Sequence, residues 1–141
     1  MTKLHAAIVG KAGVQMQIDY LEEARWMLDA GESARQTLDF PLAAVCTGDI
    51  GLALSAGENF TLTGDQIRTR SPFPITLICG DTNGLFGYIG DDAEIDRGGY
   101  GTDSFWKMQF TDGFRLALIQ GTVDRIISTS VGLLKQVQQP G

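Results

Sequence analysis

Glu58 and Tyr88 are the residues of this chain whose types and placement could do chemistry together. Each stands a little past an apolar, β-prone run, Ile50 to Ser55 before the carboxylate and Ile75 to Cys79 before the phenol. Ligands in open α/β sheets gather outside the ends of such strands, so the two side chains are expected to be neighbours. A carboxylate is a good metal ligand; a phenol, with an ordinary pKa near 10, becomes one only when a metal helps remove its proton. On residue type alone, Glu58 reads equally as a solvated loop carboxylate or a helix cap, and Tyr88 as a half-buried loop aromatic.

Other groupings are weaker. Ala53-Leu54-Ser55-Ala56-Gly57 after a strand comes close to the Gly-x-Ser-x-Gly nucleophile elbow. The single histidine, His5, precedes Ser55 by fifty residues, whereas that arrangement needs its base after the serine. Ser55 is therefore expected to be a small residue at a strand end. Asp92, Glu94, Asp96 and Asp103 imitate the spacing of a calcium loop, but Arg97 stands where the turn requires glycine and Asp103 replaces the bidentate glutamate. These acids are expected to be solvated carboxylates on a loop tip. Gly10-Lys11-Ala12-Gly13 lacks the length and the Ser/Thr of a phosphate loop and reads as a turn.

The elements that must position these residues follow from periodicity. Leu4 to Val9 is a short apolar run, expected as a strand with His5 an incidental member. Leu21, Ala24, Met27 and Leu28 recur at helical spacing, which predicts a helix over Ile18 to Ala30, capped by Asp19 and stopped by Gly31. Thr37 to Cys46 and Ile50 to Ser55, joined by Thr47-Gly48-Asp49, predict a hairpin whose first arm is placed near an edge by Pro41. A short helix over Thr63 to Thr69 should stop at Ser71-Pro72-Phe73-Pro74. Ile75 to Cys79, apolar throughout, reads as a strand buried on both faces.

Gly80 to Asp103 holds seven glycines and six acids without a hydrophobic period, which predicts a long glycine-rich loop. From Phe114 through Gly121, Ile127 and Val131 to Leu134, apolar residues trace one face of a long helix with Thr111 or Asp112 as its cap. Phe105, Trp106, Met108 and Phe110 form an aromatic cluster expected to pack beneath it, or to present an interface if upstream chain is missing. The fold class expected is α/β, a mixed β-sheet with flanking helices and a long glycine-rich loop.

Composition narrows the classes of function. The 141 residues, 43% hydrophobic and 20% charged, suit one globular domain or part of one, with no internal repeat. A formal charge of −6 removes the basic footprint that nucleic-acid binding needs. No apolar run approaches the ~18 residues of a membrane span. Leu4 to Val9 is too short for a signal peptide, so a soluble chain is expected and its compartment is left open. Cys46 and Cys79 lie in apolar stretches and read as reduced core residues.

Taken in order, the hairpin ending in Gly57-Glu58, Arg70-Ser71-Pro72-Phe73-Pro74, Asn83-Gly84-Leu85-Phe86-Gly87-Tyr88, Gly98-Gly99-Tyr100 and the closing helix span nearly the whole chain. This order resembles the C-terminal portion of the catalytic domain of neutral/alkaline (non-lysosomal) ceramidases. The resemblance implies a zinc-dependent amide hydrolase in which two histidines, a glutamate and a tyrosine hold the metal, and zinc activates the water that attacks the amide. It implies that Glu58 and Tyr88 are metal ligands, that Asn83 orders the ligand loop, and that Tyr100 stands near the site in a structural or substrate-facing role. It also implies a lipid amide substrate.

Here Ala56 replaces a usual proline, Gly90-Asp91 and Ile95 stand where the family tends to have threonine and a further tyrosine, and the histidine pair is missing. A catalytic zinc takes about three protein ligands. The chain alone is therefore expected to be inactive and to need an upstream catalytic segment or a second chain. The alternative is a non-catalytic interaction or oligomerisation subunit derived from the same fold.

Overall fold

The computed structural model describes residues 3–31, 37–103 and 118–138, and for residues 3–9 and 103 the backbone only. The described residues fall into two compact units, one holding residues 3–31 and 37–38, the other residues 39–103 and 118–138. Every candidate site residue except His5 belongs to the second.

The first unit contains helix α1, Lys3–Asp29. It absorbs the Leu4 to Val9 run that the sequence suggested was a strand, together with Gly10-Lys11-Ala12-Gly13, which is helical rather than a turn. A strand needs a partner for its backbone groups, whereas a helix that has nucleated gains one internal hydrogen bond per added residue. Asp19 lies inside the helix and accepts from Gln15 Nε2 at 2.7 Å, so it caps nothing. Gly31 does end the helix: its φ of 73° is left-handed, and its N–H donates to the Leu28 carbonyl at 3.1 Å. The expected apolar face is periodic but not buried; Leu21 and Leu28 are exposed, and Tyr20 is the buried side chain among those described on α1.

The second unit is α/β. Strands β1 (Leu42–Thr47) and β2 (Ile50–Ser55) form the expected antiparallel hairpin, turning at Gly48, φ 55°. The first arm is shorter than its β-prone run because Pro41 precedes it, and β1 is an edge strand. The chain then passes through the two-residue strand β3 (Glu58–Asn59) and helix α2 (Thr61–Arg70) to strand β4 (Ile75–Cys79), which lies parallel to β2. The sheet order β1-β2-β4 is thus mixed. Helix α5 (Thr122–Gln138) covers one face, burying Val123, Ile126, Ile127, Ser130, Val131 and Leu134 against Ala53, Ile67 and Phe73. Each fully buried aliphatic side chain in this cluster contributes about 1.5–3 kcal/mol.

Three expectations about this unit need correction. β4 is an edge strand with one face open: Thr76 is buried, whereas Ile75 and Leu77 are 51% and 49% exposed. The cysteines are free as expected but not core residues: Cys46 is exposed, with its thiol donating to the Val137 carbonyl at 3.1 Å, and Cys79 is half-buried. The closing helix begins at Thr122 and leaves out Leu118 to Gly121, because Gly121 takes a φ of 81° that a helix cannot include; the part of the expected helix from Phe114 to Ala117 lies outside the described residues. The aromatic cluster Phe105, Trp106, Met108 and Phe110 and the cap expected at Thr111 or Asp112 lie outside the described residues.

Candidate functional site

The stretch from Ser55 to Phe60 leaves the main sheet and is laced to the segment from Asp81 to Ile89. Backbone N–H groups of Thr82, Asp81 and Phe86 donate to the carbonyls of Ser55, Gly57 and Ala56 at 2.9, 3.1 and 2.8 Å. Glu58 donates to Gly87 at 2.8 Å and Phe60 to Ile89 at 3.2 Å, which makes β3 and the two-residue strand β5 (Tyr88–Ile89) a parallel pair. Glycine is required here by close approach. A Cβ on Gly57 would lie 2.5 Å from Cγ1 of Ile89, and one on Gly80 2.8 Å from the Gly57 carbonyl oxygen.

Ser55 braces this crossing. Its hydroxyl is buried, donates to the Gly57 carbonyl at 3.2 Å and accepts from Asn59 Nδ2 at 2.5 Å. A nucleophile must be reachable and paired with a base; this oxygen is neither, so it ties the two ends of the Glu58 turn together.

The lacing puts Glu58 and Tyr88 on one rung, as Cα partners in the β3–β5 register. Tyr88 is half-buried, and its ring meets Phe60 edge-on at 6.1 Å and Tyr100 at 5.7 Å. Tyr100 opens the four-residue helix α4 (Tyr100–Asp103) and is 67% exposed. The Tyr88 phenol is pushed above its ordinary value of 10.0, first by the negative charge of Glu58, then by partial burial, by the charge of and hydrogen bond with Tyr100, and by Asp81. Asn83 is exposed with φ 61°, following Asp81 at φ 50°. Both residue types tolerate the left-handed region that this turn uses.

Gly80 to Asp103 is not one loop. Besides β5 it folds helix α3 (Asp92–Arg97), because buried Asp91 caps it, accepting from the N–H groups of Ala93 and Glu94 at 3.0 and 3.1 Å. Three of the acids with calcium-loop spacing, Asp92, Glu94 and Asp96, are instead engaged on this helix. Both Asp92 oxygens accept from Gly121 N–H at 3.0 Å, Asp96 accepts from Gln120 Nε2 at 2.6 Å, and Glu94 pairs with Arg97.

An open cleft of about 420 Å³ adjoins Glu58, walled also by Asn59, Phe60, Arg68 and Asp81. Sequence reasoning missed Phe60 and Asp81, and nothing in their local pattern marks them; they reach the cleft only because β3 and the end of β4 are adjacent. Among the described residues no three His, Cys, Asp or Glu side chains are grouped to hold a metal ion. His5 lies in the first turns of α1, in the other unit, rather than on a strand. Glu58 and Tyr88 are donors of a suitable kind, yet two donors do not make a complete zinc site. Comparison of the chain with protein-family models, curated proteins and solved structures finds no match to any of them.

Proposed function

We propose that this chain contributes Glu58 and Tyr88 to a zinc centre for amide hydrolysis of the neutral ceramidase type, the remaining ligands coming from an upstream segment or another chain. The observation that supports this reading is the shared rung of Glu58 and Tyr88 in the β3–β5 register. A carboxylate and a phenol thirty residues apart in sequence are brought side by side by a short parallel ladder held by several backbone bonds and by glycines. With two donors, the chain by itself carries out no hydrolytic step. Tyr100 stands against Tyr88 on the outer side, where it would face an amide substrate, a lipid amide under this reading.

The test uses the assembly that contains the missing ligands. Zinc content and amide turnover are measured with Glu58→Ala and with Tyr88→Phe. The reading expects both variants to lose zinc and turnover together; turnover unchanged in Glu58→Ala would end it.

A second reading is favoured by a separate observation. The face of the β1-β2-β4 sheet opposite α5 carries Val45, Leu52 and Leu77 in register, with Val45 and Leu77 about half exposed, and no charged residue occurs in any of these strands. Exposed apolar patches of this kind mark interaction surfaces. Under this reading the chain is a non-catalytic interaction or oligomerisation subunit, and Val45→Lys would abolish self-association or partner binding measured by light scattering, while Glu58→Ala would leave it unchanged.

A further inference from the structure

We propose that Asn83 is a site of spontaneous covalent modification: deamidation through a cyclic imide formed with Gly84, which puts isoaspartate or aspartate into the turn between β4 and β5. The inference stands apart from the zinc reading and needs neither metal nor partner. The chain has two asparagines, and they differ in what this reaction requires. Asn83 and Gly84 are both exposed. The Asn83 carboxamide and the N–H groups of Asn83, Gly84 and Leu85 make no hydrogen bond among the described residues, although Thr82 and Phe86 on either side are tied to Ser55 and Ala56. The carboxamide can therefore turn toward the Gly84 nitrogen without breaking a bond, and glycine has no side chain to shield that nitrogen. Asn59 is the opposite case. It is part-buried with its Nδ2 donating to Ser55 Oγ at 2.5 Å, and the N–H that follows it, on Phe60, donates to the Ile89 carbonyl at 3.2 Å.

The reaction consumes only water. A peptide nitrogen is a weak nucleophile while its lone pair is delocalised into the carbonyl, so hydroxide first removes the Gly84 amide proton. The nitrogen then attacks Asn83 Cγ: the bond from Gly84 N to Cγ forms, the bond from Cγ to Nδ2 breaks, and Nδ2 takes a proton from water and leaves as ammonia, which restores the hydroxide. Nucleophile and electrophile sit on adjacent residues, so the attack has the advantage of an intramolecular step. Water then opens the imide at either carbonyl. Breaking the bond from Gly84 N to Cγ gives aspartate; breaking the bond from Gly84 N to the backbone carbonyl carbon of residue 83 gives isoaspartate. In isoaspartate the main chain runs through Cγ and is one carbon longer, between the two bonds that tie this turn to Ser55 and Ala56.

The experiment incubates the full chain at neutral and at mildly alkaline pH, beside the isolated peptide Asp81–Phe86 capped at both ends. Both are followed by mass spectrometry, with the chain mapped by peptide and isoaspartate scored by enzymatic methylation. The segment holding Asn83 should gain one mass unit and release ammonia at a rate within about tenfold of the peptide's, because the fold leaves nucleophile and electrophile free to meet. The rate should rise with pH, isoaspartate should be among the products, and Asn59 should be unchanged. A slower rate than that would mean that the fold holds the carboxamide away from the nitrogen, and would overturn the proposal. Mass gain without isoaspartate, or equal gain at Asn59, would overturn it as well. Asn83→Gln, an exposed change that moves the carbonyl carbon one bond further from the nitrogen, should abolish the gain; its persistence would place the reaction elsewhere in the chain.

Discussion

Glu58 and Tyr88 face each other across one rung of the β3–β5 ladder, and the carboxylate's charge is the first cause of the phenol's raised pKa. The Tyr88 proton is therefore held more firmly than that of a free phenol. Glu58→Gln should lower the Tyr88 pKa toward its ordinary value, read by NMR of ring-labelled tyrosine. The sign of the linkage follows. With the folded pKa above the unfolded one, the contribution to stability is complete below pH 10 and is lost as pH rises through the folded value. Glu58→Gln should reduce that alkaline loss.

Ser55→Ala should destabilise the protein by about 1–3 kcal/mol, because the Asn59 carboxamide would lose the partner of its Nδ2 in a part-buried setting. Denaturant unfolding measures it. The same variant should leave the hairpin intact, since β1 and β2 pair through their backbones.

Gly51→Ala should cost about 1–3 kcal/mol by overpacking. The added methyl would lie 2.4 Å from Phe73 Cδ2 and 3.0 Å from Leu134 Cδ2, inside the core where β2 meets α5. A companion Phe73→Leu, which removes the ring the methyl meets, should recover part of that loss in the double variant beyond what the single changes add to, a coupling that unfolding of all three variants reads directly.

Asp91→Ala should cost about 1 kcal/mol through loss of the α3 cap. Its effect should appear as faster amide exchange at Ala93 and Glu94, whose N–H groups the carboxylate holds, with α5 unaffected.

The local rules visible in the residues were enough for the hairpin at Gly48, for α2 ended before Pro72, and for the buried stripe of α5. Each of these depends on turn chemistry or on a period that repeats within the element. Leu4 to Val9 and Ile75 to Cys79 show where such rules stop. A short apolar run fits a strand or part of a helix equally, and how many of its faces are covered depends on neighbours that are remote in sequence. Glu58 and Tyr88 could be singled out from type, spacing and family resemblance. That they share a rung, that Ser55 and Asn59 brace the turn between them, and that Phe60 and Asp81 wall the adjoining cleft were decided by the parallel pairing of β3 with β5. A parallel pair is formed by backbone bonds between segments far apart in the chain, and those bonds leave no periodic mark on either sequence.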